Sequence, residues 1–495
     1  MPGRYPTVDE LTSGAAALAA AHPDRVALRC IGTSRAGEPI RLMSVGRGSR
    51  HALVVAGPHA NEPVGGLTVL RLARYLLRPA RHGRSARFTD TTWHFVLCLD
   101  PDGARRNEGW LKGPMTLSQH YRNFFRPGFA GQPEWLPTEP GAEPMPETRA
   151  LLGLQDELRP YLQCSLHGVD VGGSFVQLTR ALPGLSHDLA QSAADLRIPV
   201  ELGPYDAFFW PSPGPGVYDM PRPQETDQFV SLPAATATST WFHPHPYGTV
   251  TAVVEAPMWA ADGVGDTSPH PDPHGALESI SRTLRQDART LAGLLERVRP
   301  HLLAATGPLL APVDEYLAVS PGLADEWAPE AALGRSGGGA PGAAGGARTG
   351  GGAGSADGSG SLPPMNRARI MALRIAARRL VVRTAGLLHQ TLVPESVAQP
   401  RFVAGSPSGA GTLSGSVTEP FAEPFPRFPP GALPEPLAEV RSTLDRFLTE
   451  RCTAFEADCR ARWIPVRDQA EHQFRIVLAA AELAERSREP RAVRA

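Results

Sequence analysis

Along residues 1 to about 305, short continuous apolar runs alternate with segments whose apolar residues return every three or four positions. The runs Ile40–Val45, Ala52–Ala56, Trp93–Leu99, Tyr161–Leu166 and Thr249–Glu255 are too short for helices and read as largely buried strands. Val8–His22 reads as a helix, with Asp9 and Glu10 in the first turn, where the helix dipole favours acids. Pro63 stands where a helix can begin, because its missing N–H costs nothing there. Leu67, Leu70 and Leu77 follow it at helical spacing. Apolar strands separated by helices predict an α/β sheet covered on both faces.

The pattern then changes. Residues 276–300 form an amphipathic helix that Pro300 ends, and this helix is expected to close a first domain. Residues 306–333 connect it to residues 334–364, a Gly-rich stretch whose composition cannot bury a core and predicts a disordered linker. Beyond it, residues 366–392 and 436–487 read as helices separated by a Pro/Gly/Ser-rich stretch at about 395–434. Residues 365–495 are thus a helical C-terminal region to which the sequence attaches no function. Its basic helix, residues 367–388, does not gather Arg367, Arg374, Arg378 and Arg379 on one face. Packing against other helices is therefore expected, rather than lying on a membrane.

Composition narrows the function classes. The 495 residues carry 49 basic and 50 acidic side chains, a net charge of -1, which gives no support for binding nucleic acid or an anionic membrane. The five cysteines are odd in number and mostly far apart, against a disulfide framework. No signal peptide and no apolar stretch of transmembrane length is visible, so a cytoplasmic protein is expected.

The candidate chemistry lies at strand ends. In LVVAGPHANEPVGG, residues 53–66, His59 and Glu62 follow a buried strand and precede a helix. A turn there can aim an imidazole and a carboxylate at one point, and zinc takes three such ligands in a catalytic site while leaving room for water. Alternatively, Glu62 simply favours the helix dipole. His167 follows the strand in LQCSLHGVDVGG and is the foremost third ligand, ahead of His243, His245, His270 and His274 in Pro-rich stretches. Glu255 ends the strand of TVTAVVEAPMW, where a carboxylate is costly unless it faces a polar site, and a base is needed near a zinc-bound water. Arg105 and Arg106, and then Arg122, Asn123 and Arg126, fall between the ligands. Arginine suits a carboxylate or an oxyanion.

Taken in order, His59-x-x-Glu62, Asp100-Pro-Asp-Gly103, Arg122-Asn123, His167 and Glu255 resemble the zinc carboxypeptidase family (peptidase family M14) over about residues 5–305, with IGTSRAGEPIRLMSVG as a lead-in strand pair. The resemblance implies a mixed, mostly parallel sheet and a complete catalytic domain within residues 1–305. It implies one zinc per chain on His59, Glu62 and His167, and Glu255 as general acid/base. It further implies Arg122 as anchor of a substrate carboxylate with Asn123 beside it, and Arg105 or Arg106 at the oxyanion. The substrate would be a peptide that loses its C-terminal residue. The same fold also carries deacylases acting on N-acyl amino acids, and a non-catalytic zinc-binding scaffold is the remaining alternative. Two departures stand out: Asp100 replaces the family's Asn, and Tyr121 stands where an Asn precedes the anchoring Arg.

Overall fold

The computed structural model describes residues 3–78, 88–137, 141–208, 210–221, 238–302, 306–334, 365–392 and 433–487. Most of the expected Gly-rich linker and of the stretch at 395–434 lies outside these residues. In chain order the elements are α1 (Val8–Ala21), β1 (Val26–Thr33), β2 (Pro39–Val45), β3 (Arg50–Ala56), α2 (Val64–Leu76), β4 (Thr91–Val96), α3 (Pro101–Arg106), α4 (Leu117–Arg122) and α5 (Pro146–Leu158). Next come β5 (Leu162–Gly172), β6 (Phe175–Leu178), α6 (Leu185–Leu196), β7 (Val217–Asp219), β8 (Val250–Ala260) and α7 (Pro273–Val298). The last are α8 (Gly307–Glu326), α9 (Pro329–Gly334), α10 (Arg367–Gln390), α11 (Glu435–Cys459), β9 (Arg462–Trp463) and α12 (Val466–Arg486).

The strands form one mixed sheet in the order β1-β2-β4-β3-β5-β8-β6-β7, with β9 paired to β8. The central pairings β4/β3, β3/β5 and β5/β8 are parallel, while β1/β2, β2/β4, β8/β6 and β8/β9 are antiparallel. Alternation along β3 sorts its side chains. Ala52, Val54 and Ala56 join the core under α1, α2, α6 and α12, whereas Leu53 and Val55 meet Leu151, Leu154 and Leu158 of α5. Strand β3 is flanked on one side by β4 and on the other by β5. A crevice outside the carboxyl ends of the strands, at such a reversal, is where open α/β sheets bind ligands.

The core is shared across residue 305. Ile476, Val477 and Ala480 of α12 lie among the buried residues of β3, β5, β8 and α2. A second cluster gathers α7, α8, α10 and α11 around Met258 and Trp259 of β8. Helix α10 is buried among helices, and Gly386 faces the Tyr121 backbone so closely that no Cβ would fit. Among the described residues no helix is long and apolar enough to cross a membrane.

One buried ion pair fastens α10 to the sheet. Arg383 donates from Nε and Nη2 to Asp170 Oδ2 at 2.9 and 2.8 Å, and Tyr121 Oη and Asn61 Nδ2 donate to the same carboxylate at 3.1 and 3.2 Å. Burial alone would raise the pKa of Asp170, but Arg383, His120 and Arg379 together outweigh it and hold the carboxyl far below its ordinary range. Arg383→Met is expected to destabilise the fold by about 3–5 kcal/mol, since it leaves an uncompensated buried charge. Adding Asp170→Asn should recover most of that in chemical denaturation. Because the folded pKa is depressed, the pair's contribution is complete above about pH 4 and is lost on acidification.

Candidate metal centre

Strand β3 ends at Ala56, and the chain turns at Gly57, whose φ of +60° favours glycine and where a Cβ would lie 2.9 Å from Cys98 Sγ. This turn delivers His59 and Glu62 to the carboxyl edge of the sheet, just before α2. At Gly65 a Cβ would lie 3.1 Å from that of Leu166, so its absence lets the helix approach β5. Next to β3, β5 presents His167, and the β5/β8 register sets His167 opposite Glu255.

The four residues meet. One donor atom from each of His59, Glu62 and His167 falls within a set whose members are all within 4.8 Å of one another, and all three residues are buried. The two imidazole centroids are 4.5 Å apart. Zinc bonds of about 2.1 Å place neighbouring tetrahedral ligands roughly 3.4 Å apart, so this donor set fits such an ion after small side-chain adjustments. Both Nδ1 atoms face Glu62, at 3.1 Å for His59 and 3.3 Å for His167. Glu255 Oε1 lies 3.7 Å from His167 Nδ1. Burial pushes the pKa of Glu255 up to about 8, with His167 opposing and Glu62 adding to the rise.

A third acid, Glu134, stands behind the imidazoles. Its Oε1 is 3.2 Å from His167 Nε2 and accepts from Ser165 Oγ and Trp241 Nε1, each at 2.7 Å; its Oε2 is 3.4 Å from His59 Nε2 and has no hydrogen-bond partner. Each ring is therefore held between two carboxylates. Burial raises the Glu134 pKa, but His167 and its other neighbours outweigh this and hold it down at about 2. Carboxylates behind ligating imidazoles fix ring orientation, and removing them typically weakens metal binding about 10- to 100-fold. Glu134→Ala should weaken zinc by that factor in chelator competition; wild-type affinity would mean the rings are oriented without it.

The arginines divide. Arg126 donates to Glu62 Oε1 at 2.9 Å and lies 3.0 Å from both His59 Nε2 and Gln132 Oε1. Arg122, expected at the site, is instead engaged by Asp445 at 2.9 Å and Thr449 at 2.8 Å on α11, and by Ser118. Arg105 pairs with Asp9 at 2.9 Å and Glu38 at 2.7 Å. Arg106 lies over the Phe125 ring at 4.8 Å, and burial pulls its pKa down to about 10. Asn123 donates to the Gln119 carbonyl. The structure thus brings together His59, Glu62, His167 and Glu255, and engages Arg122, Asn123 and Arg105 with other partners. Glu134 sits in GQPEWLP, a stretch without periodicity, and carries no sequence signal of its role.

Residues 11–174 match the family model for zinc carboxypeptidases. Over that third of the chain the sequence is similar to the zinc carboxypeptidases. They are zinc-dependent metallopeptidases, and the matched span holds His59, Glu62 and His167 but ends before Glu255 and the C-terminal helices. No curated protein matches the chain significantly. Solved structures similar to the chain include carboxypeptidase A from Helicoverpa armigera, at 15% identity and a TM-score of 0.36, covering 52% of this chain and 65% of that one. A metallo-carboxypeptidase from Burkholderia cenocepacia is 17% identical with a TM-score of 0.33, covering 51% and 60%.

Proposed function

We propose that the chain is a zinc carboxypeptidase that removes the C-terminal residue of a peptide, with His59, Glu62 and His167 holding one zinc ion and Glu255 as general acid/base. The observation that carries this reading is the convergence of two imidazoles and one carboxylate within 4.8 Å, with a second carboxylate 3.7 Å from His167. Zinc bound there supplies a Lewis acid that polarises the scissile carbonyl and acidifies water. Glu255, whose carboxylate lies at the edge of the cluster 3.7 Å from His167, is placed to take a proton and return it to the leaving amine. Arg126 is the cation at the cluster, and in this reading it meets the substrate's developing oxyanion or its carboxylate. Arg122, which the family resemblance casts as anchor, has its guanidinium committed to α11.

The test is to assay the zinc-loaded chain against short peptides with free or amidated C-termini and against N-acyl amino acids. Release of the terminal residue from free-ended peptides alone is expected. Hydrolysis confined to N-acyl amino acids would replace the reading with a deacylase, and zinc binding without any hydrolysis would replace it with a scaffold.

A further inference from the structure

Helix α12 lies outside the segment that matches the family, yet two adjacent polar residues of it connect to the backbone of the site, one directly and one through a serine. His472 and Gln473 are fully buried, on a helix whose other buried positions include Ile476, Val477 and Ala480. Buried polar groups on such a surface are costly unless they are bonded, and both are.

Gln473 Nε2 donates to the carbonyl of His167 at 2.6 Å and is 3.4 Å from that of Val254, while its Oε1 accepts from Thr68 Oγ1 at 2.8 Å. A single amide thereby joins α2, which follows His59 and Glu62, to β5 and β8. The carbonyl it takes lies at a weak point. Strand β3 pairs with β5 only as far as Ala56 opposite Leu166, so His167 is the first residue of β5 beyond that support.

His472 serves the neighbouring strand. Its Nε2 is 2.6 Å from Ser174 Oγ and its Nδ1 is 2.9 Å from Ser192 Oγ, while Ser174 Oγ donates to the carbonyl of Glu255 at 2.8 Å. Donor counting fixes the proton positions. A carbonyl only accepts, so the single proton of Ser174 goes to Glu255 O, and Ser174 Oγ must accept from His472 Nε2–H. Burial pushes the pKa of His472 down to about 3, so the ring is neutral, Nδ1 is bare, and Ser192 donates to it.

We propose that Gln473 and His472 are positioning residues: Gln473 sets the backbone of the metal ligand His167, and His472, through Ser174, sets that of Glu255. The inference rests on the zinc reading above and extends it to a helix whose Gln473 lies 306 positions beyond His167 in the chain.

The two arms act on different residues, and this makes them separable. Using the full chain, Gln473→Met and Ser174→Ala are compared with wild type for zinc affinity by chelator competition, for kcat and KM at saturating zinc, and for melting midpoint. Gln473→Met should weaken zinc about 10- to 100-fold, as loss of a ligand's supporting bond does. Ser174→Ala should leave zinc affinity as in wild type and lower kcat about 10- to 100-fold with little change in KM, because a misaimed base loses rate rather than binding. Lowered melting midpoints with wild-type zinc affinity and kcat in both variants would reduce the pair to core packing and overturn the proposal. Should Gln473→Met fail to fold, Ser174→Ala decides, and an unaltered kcat overturns it. A wild-type chain that binds no zinc would overturn both this proposal and the zinc reading, whereas wild-type binding matched by Gln473→Met would overturn only the role given to Gln473.

Discussion

Glu255→Gln is expected to leave zinc at one per chain and to lower kcat by about 10²- to 10⁴-fold, the usual contribution of a positioned general acid/base. The side chain is outside the ligand set of His59, Glu62 and His167, with its carboxylate 3.7 Å from His167 Nδ1. The amide matches it in shape and keeps the backbone bond from Ser174. What it loses is the ability to accept a proton, so KM should move little while kcat falls. Near-normal turnover in this variant would remove Glu255 from the mechanism. Zinc lost together with activity would instead make it a ligand.

Truncation after residue 305 is expected to leave an insoluble or unfolded chain. The cut removes Val382, Leu387 and Leu388 of α10, Leu444, Leu448 and Phe455 of α11, and Ile476, Val477 and Leu478 of α12, all at most 2% exposed. At about 1.5–3 kcal/mol for each such side chain, roughly 15–25 kcal/mol of gross burial is lost. A folded domain has a net stability of only about 5–15 kcal/mol. The cut would also leave Asp170 without Arg383 and the His167 carbonyl without Gln473. Circular dichroism and gel filtration of the truncated chain would check this, and a monodisperse, cooperatively melting product would show that residues 1–305 hold a sufficient core.

Part of the candidate site was readable from the sequence for a physical reason. His59, His167 and Glu255 each follow a buried apolar run, and parallel strands bring their carboxyl ends to one edge. Polar residues there have a site to face or would be costly. Glu134, Trp241 and Arg126 lie in loops with no periodicity, so nothing local marks where the chain will carry them. Pro-rich flanks obscure helix α5 in the sequence, although Pro146 starts it and Leu151, Leu154 and Leu158 repeat at helical spacing. Strands β6 and β7, of four and three residues, are too short to show alternation. Helix α12 was readable as a helix but not by its buried face. Gln469, His472 and Gln473 fall at the i, i+3, i+4 spacing of a solvated stripe, yet all three are fully buried and bonded to other parts of the chain.

The distance in sequence between His167 and its support on α12 has a consequence for how the protein is made. Ribosomes add about 5–20 residues per second, and the amino-terminal part of a chain is available to fold first. The 306 residues between His167 and Gln473 therefore take roughly 15–60 s to appear after the imidazole has been added. During that interval β5 and β8 have no α12 against them, and the backbones of His167 and Glu255 lack their buried bonds. On the zinc carboxypeptidase reading, the site gains the last of its backbone supports only when this late helix docks.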